Sequence, residues 1–390
     1  MTRSTALSHT PGRFRPLGLV CVALAAFALL APYSAPAQDV KVVRIGTGPI
    51  DTTEFPFGGL VGNAISNPPG SRDCDKGGNC GVPGLIANAL STEGTWSNLQ
   101  ALMRGDIDIA LAQSDVAYWA YAGLGDFQGQ EPMTRLRVIS RLYPASIHLI
   151  ARKGVKIAGL KDLTGKKLAV DAQGGGTRFT VKALLAAYGV RSSSVNMQTL
   201  NITQATAALK ANKIDAMMLV SGAPVLALQD FARTAEFTLV PIAGPTAEKL
   251  TQAFPFYTAG KIPANSYGQH PDIATLDVGM ELVSREDFDN DFGFGIARAV
   301  WHERNKSLFE AGHARGKLMD KALSVRTGGV PIQAGAVRYY LSQGLMRLSS
   351  AAAARPPVAV NAPAPPTSGQ TSGQAPPGQS TSGAPASGPR

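Results

Sequence analysis

The chain has 390 residues, 44% of them hydrophobic and 16% charged, with 37 Lys and Arg against 27 Asp and Glu. Without the three arginines of the first 37 residues, 34 basic residues face 27 acidic ones, a net of about +7. The charges are scattered and no basic run is interleaved with aromatics, which excludes a nucleic-acid partner and leaves a weak preference for an acidic small ligand or an anionic surface.

Arg3, Arg13 and Arg15 precede an apolar run from Leu17 to Ala31, and Ala35-Pro-Ala37 follows. This is the order of a secretory signal peptide, predicted over 1–37, so the mature chain is expected to begin near Gln38 in the periplasm. Cys21 follows Val20 rather than a small residue and is read as part of the leader. No other segment approaches a membrane span. From Ser349 onward Pro, Gly, Ser, Thr, Gln and Ala dominate, so 349–390 is expected to be a disordered tail. The roughly 310 residues between are too many for one comfortable core and suit two lobes.

Val42 to Thr47 reads as a strand ending at Gly46-Thr-Gly48, and a helix follows Pro56 through Ile65. Residues 67–84 form a Gly- and Pro-rich loop holding Cys74 and Cys80. In an oxidising compartment two such cysteines favour a local disulfide, with a free thiol pair as the alternative. Residues 95–104 carry helical spacing with Gly105 as a stop. Asp106 to Gly123 is the most informative stretch. A strand at 107–112 stops at Gln113, and a helix over 115–122 follows with Ser114 as N-cap. Such a junction aims amides, hydroxyls and free N–H groups at one point outside a sheet edge.

Strands are predicted at 136–140 and 147–151, broken around Tyr143-Pro144. The alternation then continues: strand 167–171, loop Gly174-Gly-Gly-Thr177, helix 178–188, strand 195–200, helix 203–212, strand 216–220, helix 224–233, strand 237–242. An extended run follows at 275–284, then helices over most of 286–346. The pattern predicts an α/β protein with parallel sheets and helices on both faces. The lobes are expected at 38–146 and 147–281, with 282–348 returning to the first. Ser146–Arg152 and Val278–Arg285 are the natural crossings.

Gly174 to Thr177 suits an anion, because glycines admit close backbone approach and a helix N-terminus offers free donors; a tight turn is the even alternative. It is not a P-loop, and Gly46-Thr-Gly48 lacks the third glycine of a dinucleotide fingerprint. His302-Glu303 fails the zincin spacing because Lys306 stands four residues on, and no Gly-x-Ser-x-Gly elbow occurs. The five histidines are dispersed, so no His/Cys cluster is expected to hold a metal, and no cofactor is expected. Ser221-Gly-Ala-Pro224 is a third strand-end loop. Three ligand-facing loops without a catalytic constellation argue for binding rather than chemistry.

Ile45-Gly-Thr-Gly48 with Thr53-Glu-Phe-Pro-Phe-Gly-Gly59 resembles the opening of TAXI-type solute receptors, the substrate-binding proteins of one branch of TRAP transporters. The likeness continues through Ser97-Asn-Leu, Gly105-Asp-Ile-Asp, Ala112 to Tyr118, Leu142-Tyr-Pro, His148 to Arg152, Leu163 to Lys166, Gly174 to Thr177, Asp215 to Pro224 and Pro331 to Tyr340. A cysteine loop like 74–80 resembles one branch of that family. The resemblance implies a two-lobed type II periplasmic binding protein that closes on a small solute, carboxylate-bearing and glutamate-like or another organic or amino acid. The solute would pass to a TRAP membrane permease driven by an ion gradient. A ligand sensor or surface protein on the same fold is the alternative, an enzyme the less favoured one. The expected ligand contacts are Gly48, Glu54, Phe55, Ser97, Asn98, Gln113, Gly175, Gly176, Thr177 and Gly222. The chain departs from the family's usual pattern at Asp51 and Thr52, where Gly-Gly is usual, at Glu54, where Tyr is usual, and at Ala223. An acid at the pocket wall repels a dicarboxylate unless it turns outward or is protonated.

Overall fold

The computed structural model describes residues 1–2 and 40–347. The expected signal peptide, beyond its first two residues, and the expected tail lie outside the described residues.

The chain opens with β1 (Lys41–Gly46), whose first two residues are exposed and which buries Val43, Ile45 and Gly46. α1 (Glu54–Ile65) follows and turns Phe57, Val61 and Ile65 inward. Two short paired strands, β2 (Ser66–Asn67) and β3 (Val82–Pro83), close the base of the cysteine loop. Cys74 and Cys80 are joined as a disulfide within it. β4 (Leu85–Leu90) then leads to α2 (Thr95–Arg104), which buries Leu99 and Leu102 and stops at Gly105 in the left-handed region, φ 84°. β5 (Ile109–Gln113) is buried at every residue, as expected of an interior parallel strand. It runs straight into α3 (Ser114–Ala122).

β6 (Leu136–Arg152) is a single strand of 17 residues. The expected break at Tyr143-Pro144 does not occur. The ladder with β9 begins only at Ser146, and the register beside β12 slips between Met280 and Glu281 and again between Leu282 and Val283. A residue without an N–H is tolerated at such a place.

The alternating portion comprises β7 (Lys167–Ala169), α4 (Thr177–Ala187), β8 (Asn196–Gln198), α5 (Ile202–Lys210), β9 (Ala216–Ser221), α6 (Leu226–Ala232) and β10 (Phe237–Val240). Asn201 and Gln204 form a capping box at the start of α5. Besides β4 and the short strands β2 and β3, two longer elements further on lie where the sequence reading assigns none: α7 (Pro245–Ala253), opened by a proline in its first turn, and β11 (Tyr257–Ile262). β12 (Ile273–Arg285) is the second long strand, and α8 (Asn290–Val300), α9 (Glu303–Gly312) and α10 (Ala334–Ser342) follow.

The sheet runs β4-β1-β5-β12-β6-β9-β7-β8, with β10 added to β6 and β11 to β12. The fold is α/β, but the sheet is mixed rather than purely parallel. β4, β1 and β5 are parallel at one end, and β9, β7 and β8 are parallel at the other. Between them β12 and β6 run antiparallel to each other and to their outer neighbours. This arrangement has a consequence for position. β5 ends against Met280 of β12, and β9 ends against Ser146 of β6. The C-terminal ends of both parallel sets therefore converge on the midpoint of the two long strands, the place where open α/β sheets gather ligand-facing loops. Val43, Ile45, Leu111, Ile147, Leu149, Val220 and Val278 are among the buried residues that continue the core along the sheet. No helix among the described residues is long and apolar enough to cross a membrane.

Candidate functional site

Five loops meet at that midpoint: 47–53 after β1, 91–94 before α2, the Gln113–Ser114 junction, 170–176 before α4, and 222–225 after β9. The first three come from one end of the sheet, the last two from the other. Hydrogen bonds stitch them together. Gly174 N donates to Glu93 Oε2 at 2.9 Å, and Ser97 N donates to Gly174 O at 2.9 Å. Thr53 Oγ1 donates to Gly222 O at 2.5 Å, Gln113 Nε2 faces Val220 O at 3.4 Å, and Thr203 Oγ1 donates to Asp51 Oδ2 at 2.7 Å. Ser221 Oγ lies 3.0 Å from both carboxylate oxygens of Glu54. The loops close over a cavity of ≈ 20 Å³ lined by Gly48, Thr52, Glu54, Glu93, Thr95, Gln113, Asp171, Gly176, Leu219, Val220 and Met280 among others. That is room for about one water.

Of the expected contacts, Gly48, Glu54, Gln113 and Gly176 meet at this cavity. Gly176 has to be glycine as the loops stand, because a Cβ there would lie 2.3 Å from Gln113 Oε1. Gly175 packs against the Asp171 carboxylate in the same way, with a Cβ 2.0 Å from Oδ2. The other expected contacts sit behind or beside the cavity. Asn98 is wholly buried and its Nδ2 ties Thr47 O (2.7 Å) to Leu111 O (2.9 Å), holding the ends of β1 and β5 together. Ser97 Oγ donates to Gly94 O, and Thr177 Oγ1 accepts from Val220 N. Gly222 is wedged between Thr53 and Arg315, and Phe55 is half-buried on the first turn of α1. Ser114 is not the N-cap of α3. Gln113 takes that position without a side-chain cap bond, because its amide is turned to Val220 O.

The acids of the site are perturbed by burial. Glu54 is 9% exposed and turns inward, and loss of solvent pushes its carboxyl above the usual range despite hydrogen bonds to Thr52 and Ser221. Asp171, at φ 84°, is pushed up to about 6 by desolvation, against the pull of the Ala172 and Thr177 N–H groups. Just behind, Asp115 is completely buried and accepts from Thr180 Oγ1 (2.6 Å), Tyr257 Oη (3.2 Å) and Val116 N (2.8 Å). Desolvation raises it to about 6.

Sequence reasoning missed Glu93, Asp171, Met280 and Arg315 as members of this neighbourhood. Asp171 carried a signal, an acid where a strand runs into a glycine loop. Glu93 and Met280 carried none, since only the tertiary fold brings them here. The dispersed histidines do reach the cysteine loop at one point: His302, the N-cap of α9, places Nε2 3.7 Å from Cys74 Sγ, and with Cys80 these form a three-residue group. The two sulfurs are spent in the disulfide and offer no thiolate.

Solved structures similar to this chain are distant. The periplasmic aliphatic sulphonate binding protein SsuA of Escherichia coli matches with 12% identity over 77% of this chain and 83% of its own, at a TM-score of 0.40. The zinc-bound ligand-binding component of an ABC-type import system of Staphylococcus aureus matches with 11% identity over 78% and 93%, at 0.44. An ancestral arginine-binding protein bound to arginine matches with 16% identity over 69% and 97%, at 0.41. The sequence itself is more telling, since the profile of the NMT1-like family runs from 45 to 344 and spans every element from the end of β1 to α10. The chain belongs to the NMT1-like family.

Proposed function

We propose that this protein is an extracytoplasmic solute receptor, which takes a small polar solute between the two ends of its sheet and hands it to a membrane permease. One observation carries the reading. The five loops that enclose the cavity come from opposite ends of the sheet and hold each other by hydrogen bonds, while among the described residues the long strands β6 and β12 join those ends. Such contacts open and re-form at low cost, as a cleft that admits and releases solute requires. The resemblance of Ile45 to Gly59 and of Ala112 to Tyr118 to TAXI receptors supports the finer reading, an ion-gradient-driven TRAP permease as partner. It also supports a carboxylate-bearing solute.

A screen of organic acids, amino acids and amines by thermal shift, with small-angle scattering on each hit, tests the receptor role. Solute is expected to raise the melting temperature by linkage and to keep the molecule compact, and Gly176→Val is expected to lower affinity at least tenfold by holding the loops apart. Hits that stabilise the protein equally in the wild type and in Gly176→Val would place the solute elsewhere and end this reading.

A further inference from the structure

The cavity is lined by two inward-facing acids, Glu54 and Asp171, with the exposed Glu93 at its rim, and by no Lys, Arg or His. An acidic cluster alone says little. A second observation stands beside it: Gln113 is 3% exposed, its Nε2 is committed to Val220 O, and its Oε1, beside Gly176, has no hydrogen-bond partner. An unpaired buried acceptor is costly and calls for a donor. The wall therefore offers the Glu54 and Asp171 carboxylates and Gln113 Oε1 as acceptors and holds no positively charged side chain.

The loop expected to receive a carboxylate is already served by the protein's own acids. Gly174 N donates to Glu93 Oε2 and Thr177 N to Asp171 Oδ2, while Gly175 N bonds Ala172 O. A carboxylate arriving here meets like charges and displaced donors. A bare metal ion is a poor fit too. Among the described residues the one group of three His, Cys, Asp or Glu side chains close enough for an ion is Cys74, Cys80 and His302, so Glu54, Asp171 and Glu93 do not make up such a group.

We infer that the group the solute presents to this cleft is a protonated amine, with its N–H donors shared between the Glu54 and Asp171 carboxylates and Gln113 Oε1. Leu219, Val220 and Met280 supply an apolar wall for a short carbon chain beside it. The burial that raises Glu54 and Asp171 agrees, since a bound cation returns the charge balance that burial removed. This inference rests on the receptor reading and narrows it to amine-bearing solutes.

Matched pairs that differ only in the amine test it by calorimetry: 1,4-diaminobutane against 1,4-butanediol, and 4-aminobutyrate against butyrate, with glutarate as the dianion. Each amine is expected to bind at least tenfold tighter than its partner, and Glu54→Gln and Asp171→Asn each to weaken amine binding at least tenfold while the variants stay folded by circular dichroism. Gln113→Glu is expected to tighten amine binding, a change that a merely structural Gln113 would not produce. Glutarate binding that matches or exceeds the amines, or amine binding indifferent to all three variants, overturns the inference and leaves the receptor reading standing. Failure of the amines, the diol, the monoacid and glutarate alike to bind overturns both.

Discussion

At the crossing of β6 and β12, Arg315 is almost fully buried, and every charge near it is answered. Its Nε donates to Ala223 O at 2.7 Å and its Nη2 to Ser146 Oγ at 2.8 Å, and Ser146 Oγ in turn donates to Asp277 Oδ1 at 2.6 Å. A few residues away, in the cavity wall, Glu54 and Asp171 face each other's field with no cation between them, and Gln113 Oε1 has no donor. Both clusters set carboxylates against buried polar side chains. The first is complete and therefore holds the structure; the second is incomplete and therefore waits on something else. Removing a member should hurt the first and relieve the second.

The largest effect is expected at Arg315. Arg315→Ala takes from Asp277 one of the two cations near it, Arg141 being the other, and leaves Ala223 O and Ser146 Oγ without their donor; breaking a buried charged network in this way costs about 3–5 kcal/mol. Urea denaturation at pH 7 measures it, and a loss below about 1 kcal/mol would show that the crossing tolerates an unanswered charge as readily as the cavity does.

A pH series ranks next. Asp115 and Asp171 sit at about 6, and Glu281, buried beside Gly328 N, at about 7, each raised first by desolvation. A raised acid stabilises the fold fully below its ordinary range near 4, and that contribution disappears as the pH climbs through 6 to 7. The denaturation midpoint is expected to be higher at pH 5 than at pH 8, with Asp115 alone contributing on the order of 1 kcal/mol of the difference. Asp115→Asn should flatten the curve, and an equal slope in that variant would remove Asp115 from the account.

Glu54→Gln comes third and carries the opposite sign from Arg315→Ala. It keeps a partner for Ser221 Oγ and removes an uncompensated buried charge, so the free protein should gain about 1 kcal/mol at pH 8 and nothing at pH 4. Destabilisation at pH 8 would mean that Glu54 belongs with the complete cluster. Smallest is Glu93→Ala, which deletes one bond to Gly174 N at an exposed rim and should cost about 0.5–1 kcal/mol. Its clearer readout is amide exchange: faster exchange at Gly174 and Ser97 with β6 unaffected is the expected pattern.

What the sequence made legible is local grammar. The Gln113–Ser114 junction, the Gly174 to Thr177 loop and the Cys74–Cys80 pairing were readable because each is written in adjacent residues under strong rules of turn, cap and compartment. The run through Tyr143-Pro144 was misread for the same reason: a proline signals a break locally, and only the fold shows that the ladder with β9 begins at Ser146 and asks nothing of Pro144. Arg315 was invisible because its partners Ser146 and Ala223 lie 169 and 92 residues away. Glu54 was recognised as out of place, but whether it turns inward depended on Ser221, at the far end of the sheet.

The two long strands have a mechanical meaning. β6 and β12 are partners over residues 136–146 and 277–285, and each also serves as the edge on which one parallel set is built. Any rotation of one set against the other must be taken up as torsion along this two-stranded ribbon, since no short loop stands alone between them to act as a pivot. Where the register slips beside Glu281 and Val283, the ribbon has slack and can wind without giving up its ladder. A ribbon wound in this way behaves as a spring, so part of the restoring force for any such movement is stored in backbone that touches no ligand.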